Sequence, residues 1–275
     1  MIIRSLKKCC RRFIFLVFIL IGIPVILMSQ NTRPPGCYGG KRLMKEFLEE
    51  EMVYPREALE KGIEGKVELK FIVHEDGSVS DIQVIESVSE DIDAEAVRLL
   101  KKILWHPATE IGKPVAAVHW LDIQFKIKKY EKWVRQRGYD QYSYPYEPVD
   151  TSGKVYKREE IDQHPKPVFN SLDRDLGHFI SSNLAYPEAA FRANVSGTVK
   201  LRFVVEPSGR ISNIETIEAV GGGCTEEAIR VVKLIKWRPG IKEEMAVRTC
   251  LPLEITFDIS KKTVGGGIPN PGQLH

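Results

Sequence analysis

The sequence predicts an α+β chain: two tandem small domains, each a three-stranded antiparallel sheet with helices on one face, after an N-terminal membrane helix. Three observations predict it. At an offset of 132 residues the chain matches itself, with 26 identities in the 74 positions from Tyr54 to Ile127 and no gap. Within each repeat, alternating apolar residues give way to a helical period and then alternate again. Ahead of both repeats, an unbroken apolar run from Phe13 to Met28 follows five basic residues and no acid.

The N-terminal segment comes first. Arg4, Lys7, Lys8, Arg11 and Arg12 are expected to stay in the cytoplasm, which places everything after Met28 outside it. Sixteen apolar residues span about 24 Å as a helix. That is short for a hydrocarbon core of about 30 Å and long for a signal-peptide core. Ser29 suits a cleavage site but Leu27 does not, so an uncleaved anchor is favoured over a cleaved leader. Residues 1–36 form this flank, anchor (13–28) and short linker. The whole chain carries a net charge of +3. Once the five basic residues of the flank are set aside, 35 basic and 37 acidic residues remain. A near-neutral body has no field for phosphate backbones, which argues against nucleic acid as a partner.

The first domain is expected over 37–129. A helix over 41–51 precedes Tyr54-Pro55, whose proline suits the start of a second, short helix that Gly62 and Gly65 end. Val67, Leu69, Phe71 and Val73 alternate as a half-buried strand. Glu75-Asp76-Gly77-Ser78 reads as a hairpin turn with glycine at positive φ. The return strand runs through Val79, Ile82, Val84 and Ile85, with a phase change at Ser80-Asp81 that reads as a bulge. Ala96, Leu99, Leu100 and Ile103 share one face of a helix that Asp91 or Asp93 would cap. Trp105-His106-Pro107 stops it, and residues 115–127 alternate as the last strand.

Residues 130–167 are rich in tyrosine and read either as a solvated linker or as a segment that docks on a domain or partner. The second domain, 168–261, repeats the first. Its strand is Val199, Leu201, Phe203 and Val205, its turn Glu206-Pro207-Ser208-Gly209, its helix 225–236 and its last strand 246–259. The Gly/Pro-rich tail, 262–275, is expected to be disordered.

The chemistry of an enzyme is not visible. None of His74, His106, His119, His164, His178 and His275 stands at a metal-ligand spacing. Gly221-Gly222-Gly223 precedes a helix without the Lys-Ser/Thr of a phosphate loop. No catalytic residue, metal or cofactor is assigned. Cys9 and Cys10 fall on the cytoplasmic side. Of the exported Cys37, Cys224 and Cys250, at most one pair forms. Cys224 and Cys250 would close a loop of about 25 residues if they bonded; two small buried residues is the other reading.

Tyr-Pro-x-x-Ala, Gly-x-Val-x-x-x-Phe-x-Val, Glu-Ala-x-Arg, Trp-x-Pro and the closing Leu-x-Ile-x-Phe occur in both copies, and Asp-Gly-x-Val in the first. This set resembles the C-terminal domain of TonB. Gly221-Gly222-Gly223-Cys224 followed by Glu226-Glu227-Ala228 is similar to Bacteroidetes-type versions. The resemblance implies an inner-membrane, single-pass energy transducer with its body in the periplasm. It would work with ExbB/ExbD-like proton-channel proteins and grip an outer-membrane TonB-dependent transporter that imports siderophores, cobalamin or glycans. The grip resembles strand addition to a sheet edge. The edge expected to serve is the last strand of the second copy, through the backbone of Val247, Thr249, Leu251, Leu253, Ile255 and Phe257. Two departures bear on this. Phe13–Met28 holds no His or other ionisable residue, where transducers of this family carry a His, and no long Pro-rich spacer follows. The missing His favours the alternative, a non-energised periplasmic adaptor or sensor that uses the same domains for protein binding, while the linker between the copies could still supply reach.

Overall fold

The computed structural model describes residues 32–139, 144, 146–169, 174–260 and 263–267. The expected membrane segment lies outside them. Among the described residues no helix is long and apolar enough to cross a membrane.

Two short strands, β1 (Thr32–Arg33) and β2 (Gly36–Cys37), lead into helix α1 (Gly40–Glu51) and the short α2 (Arg56–Lys61). Strands β3 (Gly65–Val73) and β4 (Val79–Glu86) form the expected hairpin, and helix α3 (Glu90–Lys102) follows. The chain then makes β5 (Trp105–His106), β6 (Ala108–Glu110), β7 (Lys113–Val115) and β8 (Ala117–Phe125). The first sheet has the order β4-β3-β8, all antiparallel. Val67, Leu69, Phe71 and Val73 are fully buried against α3, as their alternation requires. The bulge falls where the phase changes: the register slips between Lys70 and Ile72, and Asp81 takes φ 50. The cap is different from the expectation. Ser89 is the N-cap residue, while Asp93 accepts a bond from the Val88 N–H at 3.1 Å.

Helix α4 (Ile127–Arg137) continues the first domain into the segment read as linker, and its Tyr130 is buried in the first core. Arg137 near its C-terminus donates to the backbone carbonyls of Glu49, Glu50 and Met52 at the end of α1. These are carbonyls a helix end leaves without partners. Beyond α4, strand β9 (Val155–Tyr156), a single 3-10 turn (Arg158–Glu160) and β10 (Lys166–Val168) run along the second copy. The docked reading of this stretch is therefore the one the structure adopts.

The second copy comprises α5 (Leu176–Asn183), α6 (Glu188–Arg192), β11 (Gly197–Val205), β12 (Ile211–Glu218), α7 (Cys224–Leu234), β13 (Lys236–Arg238), β14 (Gly240–Lys242) and β15 (Met245–Asp258). Its sheet is not three-stranded. The path β12-β11-β15-β14 is extended by β9 and by β16 (Thr263–Gly267), both paired to β15. The tail thus contributes a strand where disorder was expected, because the edge of β15 offers unpaired backbone groups to whatever chain lies beside it.

Two repeated motifs explain themselves locally. Glu95 accepts from the Val53 N–H at 2.8 Å, and Arg98 donates to the Glu51 carbonyl at 2.8 Å. Glu227 and Arg230 make the same clamp with Ala185 N–H and the Asn183 carbonyl, at 2.7 and 2.6 Å. Glu-Ala-x-Arg therefore ties each central helix to the chain entering Tyr-Pro. Gly77 and Gly209 have φ of 82 and 78, and a Cβ there would sit 2.3 Å from the Trp105 carbonyl oxygen and 2.2 Å from that of Trp237. Only glycine lets the hairpin turn close on the tryptophan strand.

Candidate docking edge and the joint between the copies

The residues expected to carry the edge all lie on β15. Val247, Thr249, Leu251, Leu253, Ile255 and Phe257 are each no more than 1% exposed, so their side chains are core. What remains for recognition is the backbone. One side of β15 pairs with β11 from Thr249 to Phe257. On the other side the linker pairs with Ala246 through Val149 and, as β9, with Arg248–Thr249 in parallel, and β16 takes Glu254–Asp258, while β14 pairs with Met245–Val247 on the side away from Val149. Only Cys250–Leu253 has no strand on that side among the described residues, and Pro252 within it has no N–H to give. In the first copy, β8 pairs with β3 along its whole length and with no other strand among the described residues. Its outward face carries Val118 and Trp120, 41% and 51% exposed.

Of the two readings left open for Cys224 and Cys250, the structure has both as free thiols. Cys224, the first residue of α7, is buried in the second core, whereas Cys250 alternates with Leu251 and so faces away from that core. The strand's two-residue period puts the sulfurs on opposite sides of the sheet.

Sequence reasoning did not find the joint between the copies. Leu43 on α1 packs in the core of the second copy, while Phe47, one turn on, packs in the first. Asn213, at φ 49 in the bulge of β12, accepts from the Leu104 N–H at 2.8 Å and donates to the Lys102 carbonyl at 3.1 Å. A bulge that re-aims one side chain makes this reach possible. His106 contacts Glu215 at 2.9 Å, and Tyr38 stacks on His106 at a centroid distance of 4.2 Å.

At the centre lie Glu206 and Arg248, 1% and 3% exposed, paired at 2.9 Å. Ser212 donates to Glu206 at 2.5 Å, and Lys102 of the first copy stands 3.7 Å from Glu206 and 2.7 Å from Glu51. Burial pushes the Glu206 carboxyl up, but the charges of Arg248 and Lys102 outweigh it and hold it down at about 2. Burial likewise opposes the charge on Lys102, and Glu206 and Glu51 reverse that, raising its affinity for the proton. Such a cluster tolerates burial because every charge is paired. A signal for it existed in the repeat. Glu206 stands where the first copy has His74, Arg248 where it has Ala116, and Lys102 where the second copy has Leu234. Charge at positions that are neutral or apolar in the sister copy marks a contact unique to one of them.

Between α1, α4 and the α7–β13 region an open groove of about 1010 Å³ separates the copies, with Tyr139 beside Arg137 and Arg210. Among the described residues no group of three or more His, Cys, Asp or Glu could hold a metal ion.

The family described as the Gram-negative bacterial TonB protein C-terminal region matches this chain twice, over 50–127 and 182–259. The chain belongs to the TonB family. It carries two TonB C-terminal-like domains, one in each half of the repeat. Protein TonB of Pseudomonas aeruginosa is 42% identical over 109 residues, a match covering 36% of this chain and 32% of that protein. The chain thus spans about a third of the length of this TonB relative. The solution structure of the Pseudomonas aeruginosa TonB C-terminal domain is 34% identical, covering 37% of this chain and 92% of that one, with a TM-score of 0.26. The Helicobacter pylori TonB C-terminal domain is 22% identical over 31% of this chain and 78% of that one, with a TM-score of 0.25.

Proposed function

We propose that this chain is a cell-envelope transducer or transport adaptor. It is held in the inner membrane by a single N-terminal helix, with its body in the periplasm, and grips an outer-membrane TonB-dependent transporter by strand addition. The observation that carries this reading is the form of the last strand in each matched domain. β8 and β15 bury one face in a core and use one side to pair with the central strand, so recognition on the other side falls to the backbone. In β15 the segment assigned is Val247 to Phe257, with backbone groups supplying affinity. The cargo of such a transporter would be a siderophore, cobalamin or glycan, and ExbB/ExbD-like proteins would supply the energy. No catalytic residue, metal or cofactor enters this reading.

The second reading is an adaptor or sensor without energy transfer. Phe13–Met28 favours it, since that run contains no ionisable residue to engage a proton channel. A crosslinked pull-down of the full chain from membranes, read by mass spectrometry, separates the two. A transporter recovered together with ExbB/ExbD-like proteins supports the transducer. A transporter alone supports the adaptor. Recovery of other envelope proteins and no transporter overturns docking on transporters.

A further inference from the structure

The edge assigned above to a partner is already held by this chain. β9 lies parallel on Arg248–Thr249, and β16 lies antiparallel on Glu254–Asp258. Just ahead of β9, the Ala246 N–H donates to the Pro148 carbonyl at 2.8 Å and the Asp150 N–H to the Ala246 carbonyl at 2.9 Å. The four residues left between the two covers, Cys250–Leu253, include a proline. That is less than a typical strand of about five or six residues needs.

The cover is also tied to the other copy. The Arg248 guanidinium donates to the Gly153 carbonyl, two residues ahead of β9, at 2.9 Å. It donates to the Lys102 carbonyl in the first copy at 2.9 Å and to Glu206 at 2.9 Å. One side chain therefore joins the linker, the first copy and the second. The corresponding residue of the first copy is Ala116, and β8 has no such cover among the described residues.

We propose that the second domain is self-masked. The linker strand β9 and the tail strand β16 stand in for a partner strand on β15, and the Arg248 joint holds the linker in place while the two copies remain together. The proposal rests on the strand-addition reading above and specifies its regulation. Both covers are short, two and five residues, and are joined to the domain by the chain itself. Their hold is therefore one of local concentration, of millimolar order for a short flexible connection. A longer strand arriving from a partner displaces them by pairing with more of the edge. Separation of the copies breaks the bond from Arg248 to the Lys102 carbonyl and the contact of Lys102 with Glu206, and lets the linker leave first.

The test needs no transporter. The probe is a fluorescent peptide of residues Ile259–Gly267, offered to the full chain and to a chain ending at Ser260. The peptide is expected to bind the shortened chain at least ~10-fold more tightly than the full chain. Arg248→Lys retains a charge beside Glu206 but cannot reach both carbonyls, so hydrogen exchange across 153–157 is expected to rise ~10-fold in the full chain. Tyr156→Pro in the full chain removes one β9 N–H and is expected to raise hydrogen exchange across 153–157 as Arg248→Lys does. Should that variant fail to fold, the truncation and Arg248→Lys still decide. Equal binding to full and shortened chains overturns the masking by the tail. Unchanged exchange across 153–157 in Arg248→Lys overturns the coupling to the joint. A transporter absent from the membrane pull-down would instead overturn the docking reading and leave both peptide and exchange results standing.

Discussion

The two copies share one fold, and three pairs of positions separate the joint of the second from the hairpin base of the first. In the first copy His74 bonds Ser80 at 2.7 Å at the end of the hairpin, and Ala116 follows β7. In the second, Glu206 bonds Ser212 at the same place and Arg248 meets it across the strand. Lys102 of the first copy completes the second copy's cluster, where Leu234 stands in the sister helix. The exchange of neutral for charged residues turns an ordinary hairpin base into a joint, and with it one copy's edge is covered while the other's has no cover among the described residues. Divergence at a handful of positions that become buried between the copies is enough to separate two similar domains into a holder and a held one.

The largest expected effect tests that joint. Arg248→Ala leaves the Glu206 carboxylate buried without its main partner and is expected to cost about 3–5 kcal/mol. Ala116→Ser at the matching site of the first copy should stay within about 0.5 kcal/mol. Denaturant unfolding of both variants measures this, and a cost under about 1 kcal/mol for Arg248→Ala would break the comparison. Next come the shared turns. Gly77→Ala and Gly209→Ala are each expected to lose about 1–3 kcal/mol, because both place a Cβ on a tryptophan carbonyl at positive φ. A loss in only one copy would show that the hairpins are not equivalent.

Acid should act on the second copy through Glu206. Its carboxyl is depressed on folding, from an ordinary value of 4.5 to about 2, so the stabilisation it gives is complete above the ordinary value. It is lost as pH falls through the folded value. Thermal unfolding between pH 5 and pH 2 is expected to show a falling transition temperature, and Glu206→Gln, already destabilised, should fall less over that range. Equal slopes for the two chains would remove Glu206 as the cause. The smallest effect is expected at Trp120→Gln, on the open face of β8. Its indole is 51% exposed, so stability should change by no more than about 0.5 kcal/mol. A larger loss would mean that this face is covered in solution.

Much of each domain was legible because its causes are local. Alternation in Val67–Val73 gives a buried strand face, Asp76-Gly77 gives the turn, and the phase change at Ser80-Asp81 gives the bulge. The family motifs were legible as repeated residues, but the clamp they make was not, since Glu95 and Arg98 bond backbone 42 and 47 residues earlier in the chain. The residues of the candidate edge fall on a single strand, β15, but the cover on that strand was not legible. β9 and β16 have two and five residues, too few to show a period, and what holds them is the backbone of a strand distant in sequence. Whether Cys224 and Cys250 could bond was not legible for a related reason: spacing along the chain says nothing of which side of a sheet each thiol faces.

The sequence by itself determined that this chain holds two copies of one α+β domain of the TonB family, with their hairpins, helices and last strands in place. Periodicity, turn chemistry and repeated motifs are properties of neighbouring residues, and these a sequence displays directly. The tertiary structure alone decided that Leu43 belongs to the second core, that Glu206, Arg248 and Lys102 meet, and that the linker and tail lie on β15. Those contacts join residues far apart in the chain. Their free energy comes from desolvation and charge pairing at a place that exists only once both copies have folded and docked.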